Sequence, residues 1–278
     1  MKSYISRIIK NPWVQCPEIP KVNNLLKTVS VTNFYRGSNQ AKTQLNNLEQ
    51  KYRQWIKEVV DLTDFPYFYF VNGVTDALNQ WIATEHRSWQ FLEGDYQYPQ
   101  MISNTGVCVS EVQADRVLYI SNPACATGNL IELEDYNVPV ILDCAYIGSV
   151  PKQKMHIPSN TEQVWFSFSK GWGLVGQRMA VVFSKQPHKS LEPMKRVEAW
   201  NHTGVEIAHA IIDNFDIDTI CNEYKILQDS ICKELNLEPA DCFFIANSTD
   251  EIYEVRRRTG NIARLDLSYI MNGDINAQ

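Results

Sequence analysis

The sequence of 278 residues predicts an α/β protein: a large domain with a mostly parallel sheet covered by helices, plus a small C-terminal α+β domain. Two short runs, 117–121 (VLYIS) and 138–142 (VPVIL), are apolar and β-branched without alternating with polar residues. This pattern favours parallel strands that are buried on both faces. Segments with apolar residues three and four positions apart precede these runs, as expected for a sheet covered by helices.

The first part of the chain predicts an arm followed by an amphipathic helix. Residues 1–30 carry three prolines and no sustained period, so we interpret them as an N-terminal arm or short capping helix belonging to the small domain or to a dimer interface. From Ser38 to about Val60, apolar residues recur at spacings of three and four. This spacing predicts a helix with one buried face.

An aromatic run over residues 66–71 predicts a strand that stops at Asn72-Gly73, after which helical spacing begins. A strand, a glycine turn and a helix together present free backbone N–H groups and the positive end of a helix dipole to an anion. The turn at Gly73 is therefore a candidate anion site, although the same string also suits an ordinary strand-to-helix turn.

Polar residues follow each strand candidate. Tyr98 stands before Pro99, which biases it to an extended conformation at the end of a strand. Ligands of doubly wound sheets bind at the carboxyl ends of the strands. The sequence therefore predicts one site, at a single edge of the sheet, to which four strand ends bring Gly73, Asn122, Asp143 with Tyr146, and Ser167 with Lys170.

The composition changes after Phe183. Residues 205–237 are rich in helix signals, and strand candidates follow at 242–246 and 262–270. We interpret this part as a small α+β domain. The predicted units are the arm (1–30), a large cofactor-binding domain (31–185) and a small C-terminal domain (186–278).

Charge and composition exclude several classes of function. The chain has 26 basic and 32 acidic residues, a net charge of −6, without long runs of one sign. This distribution argues against nucleic-acid and membrane partners and favours small molecules. No stretch approaches the roughly 20 apolar residues of a spanning helix, and the seven cysteines form no C-x-x-C pair. We therefore expect a cytoplasmic protein without a disulfide framework or a metal site.

The stretch 164–178 (VWFSFSKGWGLVGQR) carries a lysine, Lys170, between an apolar strand candidate and a glycine-rich turn. Desolvating an ammonium group lowers its pKa, and a lysine with a lowered pKa is a nucleophile for carbonyls. Lys170 is thus a candidate for a Schiff base. The competing interpretation is a surface lysine in a loop between two strands.

In chain order, the motifs are NGVTDAL, Tyr-Pro, SNPACATG, D-x-A-Y, S-x-S-K, and G-x-R with its arginine eight positions after the lysine. In this order they resemble the class I and II aminotransferases of the aspartate aminotransferase superfamily, which are pyridoxal 5'-phosphate (PLP) enzymes of fold type I. The resemblance runs from about Tyr35 to Ser268, and its specific portion is 143–178. It implies a homodimer, with the active site near the interface, that transfers an amino group between an α-amino acid or related amine and a 2-oxo acid.

The resemblance also implies roles for individual residues. Lys170 matches the lysine that forms the Schiff base and then moves a proton at the substrate Cα. Asp143 matches the carboxylate that keeps the cofactor ring nitrogen protonated, and Tyr146 the phenol that hydrogen-bonds the ring oxygen. The implied phosphate ligands are Ser167, Ser169, Arg178 and the backbone amides of Gly73, Val74 and Thr75.

Three further matches concern the ring and the substrate. Tyr98 corresponds to the aromatic residue that stacks on the cofactor ring. Arg264 resembles the arginine that grips the substrate α-carboxylate, although an arginine on a solvated strand edge fits the pattern as well. Tyr35 resembles the tyrosine that reaches the phosphate of the neighbouring subunit.

One position departs from the family pattern. Cys125 stands in SNPACATG where the family usually has an asparagine that hydrogen-bonds the ring oxygen. A thiol is a poor donor, so either Asn122 substitutes for that residue or Tyr146 acts alone.

Alternatives to transamination stay open. A decarboxylase, a β-lyase and a racemase share the cofactor residues, because substrate orientation decides which bond breaks. A non-catalytic PLP-binding descendant is supported by Cys125 and by the shortness of the chain. A nicotinamide-dependent Rossmann enzyme is disfavoured, since no G-x-G-x-x-G string opens a helix.

Overall fold

Two sheets, of seven and four strands, organise the residues that the computed structural model describes, which are 5–6, 8–9, 14–29, 38–102 and 105–275. The strands are β1 (Tyr67–Val71), β2 (Trp89–Leu92), β3 (Gly106–Val109), β4 (Val117–Ser121), β5 (Val140–Cys144), β6 (Thr161–Ser167), β7 (Ala180–Ser184), β8 (Glu238–Pro239), β9 (Ile245–Ser248), β10 (Arg257–Thr259) and β11 (Ile262–Asp266). The α-helices are α1 (Pro20–Thr28), α2 (Ser38–Ile56), α3 (Val74–Thr84), α4 (Tyr98–Ile102), α5 (Leu191–Arg196), α6 (His202–Asn214), α7 (Thr219–Leu235) and α8 (Ser268–Ile275).

The seven-stranded sheet has the order β1-β7-β6-β5-β4-β2-β3. The pairs from β3 through β2, β4 and β5 to β6 are parallel, whereas β7 runs antiparallel to both of its neighbours, β1 and β6. Every residue of β4, β5 and β7 is buried. The predicted fold class, a mostly parallel sheet covered by helices, is therefore confirmed.

The parallel register brings the carboxyl ends of the central strands to one edge. Ser121 at the end of β4 pairs with Asp143 of β5, and Cys144 of β5 pairs with Phe166 of β6. Parallel strands in register end side by side, so the residues that follow them are neighbours in space. The predicted meeting of these strand ends is observed.

Helices cover both faces of the sheet. On one face, α3 buries Val74, Ala77, Leu78 and Trp81, and the Trp81 ring lies 5.4 Å from that of Trp89. On the other face, α2 buries Tyr52, whose ring meets those of β6 and β7. The 3.6-residue period of these segments predicted both helices, and burial of the apolar side chains stabilises them.

The C-terminal sheet is antiparallel, in the order β10-β11-β9-β8. The predicted strand 262–270 is too long: β11 ends at Asp266 and α8 begins at Ser268. The reason is local, because Asp266 Oδ1 accepts a hydrogen bond from the Ser268 N–H at 2.9 Å, which satisfies a free donor of the first helical turn. The predicted strand 242–246 is also displaced, to Ile245–Ser248.

The last strand of the seven-stranded sheet ends at Ser184 and the C-terminal sheet begins at Glu238. The division of the chain at residues 30 and 185 stays a prediction. None of the helices in the described ranges combines the length and the apolar character that a bilayer-crossing helix needs.

Candidate active site

A cleft of about 120 Å³ opens at the edge of the sheet where the central strands end. It lies beside the first turn of α3, the loop after β5 and the loop after β6. Of the residues singled out in the sequence, those that line it are Val74, Thr75, Asp143, Tyr146, Ser167, Ser169, Lys170 and Arg178, together with Cys125. Their roles stay predictions, but the fold brings them to one place.

Asp143 lies at the end of β5 and is 4% exposed. Tyr119 Oη donates to its Oδ2 at 2.5 Å, and the Ala145 N–H donates to its Oδ1 at 2.8 Å. Burial raises the pKa of the carboxyl group to about 7, and these two donors oppose the rise. Near neutral pH the group is therefore poised between its two protonation states, and a cation beside it would favour the carboxylate.

Lys170 follows β6, and its amine is largely desolvated. Burial lowers the pKa of this amine below the usual 10.5, and the nearby charge of Arg264 lowers it further. Lys170 Nζ donates to the backbone carbonyl of Val14 at 3.0 Å and lies 6.0 Å from the ring centroid of Tyr146. Lys170 does lie in the connection between β6 and β7, but the interpretation as a surface lysine is disfavoured, because the residue lines the cleft and its amine donates to a backbone carbonyl.

The same cleft also carries groups that suit an anion. Gly73 has φ 86°, and a Cβ there would lie 2.5 Å from Arg178 Nη2, so a glycine lets the guanidinium lie against the start of α3. In the described part of the chain, no carboxylate lies within ion-pair distance of Arg178. Ser169 Oγ is buried and has no hydrogen-bond partner among the described residues. The Gly73 N–H donates to the Val71 carbonyl at 2.9 Å, so this amide is not available for the predicted phosphate contact. A cation, an unused hydroxyl and the N–H groups of Val74 and Thr75, in the first turn of α3, lie at the cleft.

Cys125 and Arg264 lie beside the cleft. Arg264 is 8% exposed, so it is not on a solvated strand edge. Its Nη1 donates to the Cys125 carbonyl and, at 3.1 Å, to Cys125 Sγ. The thiol that replaces the expected asparagine therefore acts as an acceptor from Arg264.

The prediction for Tyr98 is wrong in its secondary structure. Residues Tyr98–Ile102 form the short helix α4 rather than the end of a strand, and Tyr98 Oη donates to Asn79 Oδ1 at 3.2 Å. Tyr96, rather than Tyr98, lines the cleft, and its hydroxyl lies 3.3 Å from Thr75 Oγ1. Tyr98 stacks behind Tyr96, with ring centroids 6.0 Å apart.

Asn122 does not reach the cleft. Its Nδ2 donates to the Ile131 carbonyl at 3.0 Å, and its Oδ1 accepts from the Ile131 N–H at 3.1 Å. Because the carbonyl and one N–H of this amide fix the loop, and Asn122 does not line the cleft, it is not placed to substitute for the missing asparagine. Of the two alternatives, Tyr146 acting alone fits the geometry. Tyr35 lies outside the described residues, and its role stays a prediction.

Three contributors were missed in the sequence: Tyr96, Tyr119 and the Val14 carbonyl. Tyr96 could have been found as the second tyrosine of the same segment, and Tyr119 as a phenol two positions before a strand end. No signal marks the Val14 carbonyl, because every residue has one.

Comparisons with known proteins bear on the fold. No protein-family model matches the chain, and no curated protein matches its sequence. Solved structures do match. An aminotransferase from Staphylococcus aureus is 12% identical with a TM-score of 0.63, over 97% of this chain and 92% of that one. The histidinol-phosphate aminotransferase of Sinorhizobium meliloti, in complex with pyridoxal-5'-phosphate, is 13% identical with a TM-score of 0.63, over 99% of this chain and 94% of that one.

A third match is the L-threonine-O-3-phosphate decarboxylase of Porphyromonas gingivalis. It is 14% identical with a TM-score of 0.56, over 88% of this chain and 99% of that one. The chain therefore has the fold of the class I and II aminotransferases, which is fold type I of the PLP-dependent enzymes. The expected fold is confirmed, and identities this low carry the fold alone.

We predict that replacing Asp143 by Asn stabilises the protein without cofactor at neutral pH. Asp143 binds a proton more tightly when folded (pKa about 7) than when unfolded (3.8), so stability is lost as the pH rises through this window. The Asn variant should match the wild type near pH 4 and exceed it by up to about 4 kcal/mol above pH 7. Urea unfolding at a series of pH values measures the difference.

The matched control is Asp64→Asn, which removes an exposed carboxylate. It should show no comparable trend with pH. If the unfolding free energies of the wild type and Asp143→Asn differ by the same amount at pH 4 and at pH 8, the raised pKa of Asp143 is contradicted.

Proposed function

We propose that this protein is a PLP-dependent aminotransferase, which transfers an amino group between an α-amino acid or related amine and a 2-oxo acid. The observation that carries the proposal is the pairing, in one cleft, of a desolvated lysine amine with a buried carboxyl group. The same cleft holds an anion cradle, formed by the Arg178 guanidinium, the Ser169 hydroxyl and the N–H groups that open α3. The fold agrees with this chemistry, since its structural relatives include aminotransferases.

The residues at the anion end fit the cofactor phosphate. The buried Ser169 hydroxyl is an unused donor, and the Arg178 guanidinium has no carboxylate partner in the described ranges. A phosphate monoester would accept from both, and from the N–H groups that open α3. Ser167 Oγ accepts from the Ser169 N–H at 2.9 Å and so holds the loop in place, and its own O–H would donate to the phosphate.

The residues that would contact the cofactor ring fit the cofactor as well. When bound, PLP draws electrons from the Cα of an attached amine, provided that its ring nitrogen is protonated. Asp143 would hold that proton, because a cation beside a carboxyl group with a pKa near 7 favours its charged form. Tyr146 would donate to the ring oxygen, and Tyr96 would cover the ring face.

Lys170 would hold the cofactor covalently and, once displaced by a substrate amine, move a proton at the substrate Cα. Its lowered pKa supports both parts, because an uncharged amine is a nucleophile and a base. Arg264 would bind the substrate carboxylate. A fixed carboxylate sets which bond at Cα is oriented for cleavage.

Decarboxylation is the second candidate. It is favoured by the decarboxylase of Porphyromonas gingivalis, which has the same fold. The groups that hold the cofactor serve either reaction. A non-catalytic cofactor-binding protein is the third reading, and Cys125 is its support.

We predict that borohydride reduction of the PLP-loaded protein fixes the cofactor to the peptide that contains Lys170. Mass spectrometry should find this adduct in the wild type and not in Lys170→Ala, whose visible cofactor absorption should also be lost. Lys185→Ala is the matched control, because Lys185 Nζ donates to a carbonyl outside the cleft, that of Ser159. Wild-type protein that takes up PLP elsewhere, or not at all, would refute the proposal.

A single-turnover assay separates the reactions. With an amino acid that is a substrate and no 2-oxo acid acceptor, an aminotransferase should release about one equivalent of 2-oxo acid per chain and then stop. A decarboxylase would release carbon dioxide continuously, and a lyase would release ammonia. The absence of any product from a broad panel of amines, with PLP attached at Lys170, would favour the non-catalytic reading.

The proposed enzyme is a homodimer. Support comes from α4, where Met101 and Ile102 are exposed beside the cleft, because apolar surface next to a site favours a partner chain. Light scattering should give twice the chain mass of 32.0 kDa, and Met101→Asp should shift the protein toward the monomer. A wild-type monomer at micromolar concentration would contradict this arrangement.

A further inference from the structure

Tyr119 is a fully buried residue of β4 whose hydroxyl reaches the carboxyl group in the cleft. Its Oη donates to Asp143 Oδ2 at 2.5 Å. The strand register explains this contact. Tyr119 pairs with Ile141 and Ser121 pairs with Asp143, so the tyrosine lies on the same face of the sheet as the carboxyl group, one diagonal step away. An aromatic side chain is long enough to span that diagonal.

The ring that carries this hydroxyl is held by its neighbours. It packs against the buried ring of Trp165, with the centroids 5.9 Å apart, and Trp165 pairs with Asp143 across β5 and β6. Trp165 is fixed in turn, because its Nε1 donates to Gln163 Oε1 at 2.9 Å. A phenylalanine would fill the same space as Tyr119. Within the described part of the chain, the bond to Asp143 is what the hydroxyl adds.

The two donors to Asp143 orient its carboxyl group and still leave room for a ligand. The Ala145 N–H donates to Oδ1 and Tyr119 donates to Oδ2, so each oxygen accepts one bond from the protein. An ionised carboxylate has about four lone-pair sites. The remaining sites can accept from a group bound in the cleft, which Asp143 lines.

The hydroxyl also affects how readily this carboxyl group is charged. Burial and the nearby charge of Asp95 raise the pKa of Asp143. The bond from Tyr119, the Ala145 N–H and the charge of Lys170 lower the same pKa. The phenol keeps its own proton, because burial and the charge of Asp143 raise its pKa well above the usual 10. Tyr119 therefore acts as a donor, and a donor stabilises the carboxylate more than the neutral acid.

The position of one proton connects this bond with the chemistry. In the proposed function, Asp143 and the cofactor ring nitrogen compete for a proton, and the ring draws electrons when the nitrogen holds it. On the basis of the proposed function, we propose that Tyr119 is a positioning residue, whose hydroxyl orients the Asp143 carboxylate and keeps the shared proton on the cofactor nitrogen. It acts through Asp143, since Tyr119 does not itself line the cleft.

The first test observes the cofactor ring directly. In protein loaded with PLP that is labelled with nitrogen-15, the chemical shift of the ring nitrogen distinguishes the protonated ring from the unprotonated one. The wild type should give the protonated value at neutral pH. Tyr119→Phe should move the signal toward the unprotonated value, because Asp143 then competes more strongly for the proton.

Tyr69→Phe is the matched control. Tyr69 is also a buried strand tyrosine whose Oη donates to a carboxylate, that of Glu192, at 2.8 Å, but neither residue lines the cleft. This variant loses the same kind of hydrogen bond elsewhere in the sheet. It should keep the wild-type nitrogen-15 signal.

The second test uses the protein without cofactor. Asp143 binds its proton more tightly when folded, so stability is lost as the pH rises to about 7, the folded-state pKa. Removing the hydroxyl should extend this loss by about one pH unit toward higher pH. In urea unfolding, the gap between the wild type and Tyr119→Phe should therefore widen above pH 7. The widening should vanish in the Asp143→Asn background, where Asp95 and Lys170, the other charged groups that act on Asp143, are unchanged.

A second variant serves if Tyr119→Phe does not fold. Tyr119→3-fluorotyrosine keeps the ring and makes the hydroxyl a stronger donor, so it should end the loss of stability at a lower pH than in the wild type. A folded Tyr119→Phe protein with the wild-type nitrogen-15 signal, or with a gap in stability that is the same at every pH, overturns the proposal. A fluorinated variant with the wild-type pH dependence does so too.

Failure of this inference is distinguishable from failure of the proposed function. The proposed function is tested by the borohydride-fixed adduct at Lys170, which does not depend on the Tyr119 hydroxyl. A protein with that adduct, but without a nitrogen-15 response to Tyr119→Phe, retains the cofactor chemistry and loses only the role of Tyr119. A protein without the adduct loses both.

Discussion

The parallel pairing of β5 with β6 sets the position of every other part of the site. Its register places Cys144 opposite Phe166, so Asp143 and the loop that carries Lys170 emerge at the same edge. Because β5 is buried on both faces, a slip of one residue would turn its carboxylate into the apolar core. The same burial shifts both groups away from full charge: the pKa of the Asp143 carboxyl rises and that of the Lys170 amine falls.

The antiparallel strand β7 explains the anion cradle. Val71 of β1 pairs with Ala180 of β7, and continuing this register places Gly73 opposite Arg178. The chain reverses direction between β6 and β7, and both Lys170 and Arg178 lie in this connection. The reversal therefore brings the two side chains to the same cleft. A side chain at Gly73 would meet the guanidinium, which is why this close approach needs glycine. Backbone pairing, rather than side-chain attraction, thus sets the distance between lysine and arginine.

The charge balance of the cleft links cofactor and substrate. Lys170 and Arg178 line it and Arg264 contacts the lining residue Cys125, while the Asp143 carboxyl group is only partly ionised near neutral pH. Such a site favours anions before any specific contact is made, because its field attracts negative charge. In the proposed function, a cofactor phosphate and a substrate carboxylate would balance these charges. The Val14 carbonyl, which accepts from Lys170, holds the amine in the cleft until another group engages it.

The sequence by itself determined the features that depend on neighbours in the chain. Apolar runs predicted the buried strands, and the residues after them, Asp143 and Lys170 among them, followed because parallel strands end at one edge. Only the tertiary structure decided which side chains point into the cleft. Tyr96 rather than Tyr98 lines it, and Asn122 turns to another loop, because helix α4 and the Ile131 backbone orient them. The contacts of Tyr119 with Asp143 and of Lys170 with Val14 join residues distant in sequence, so no local pattern specifies them.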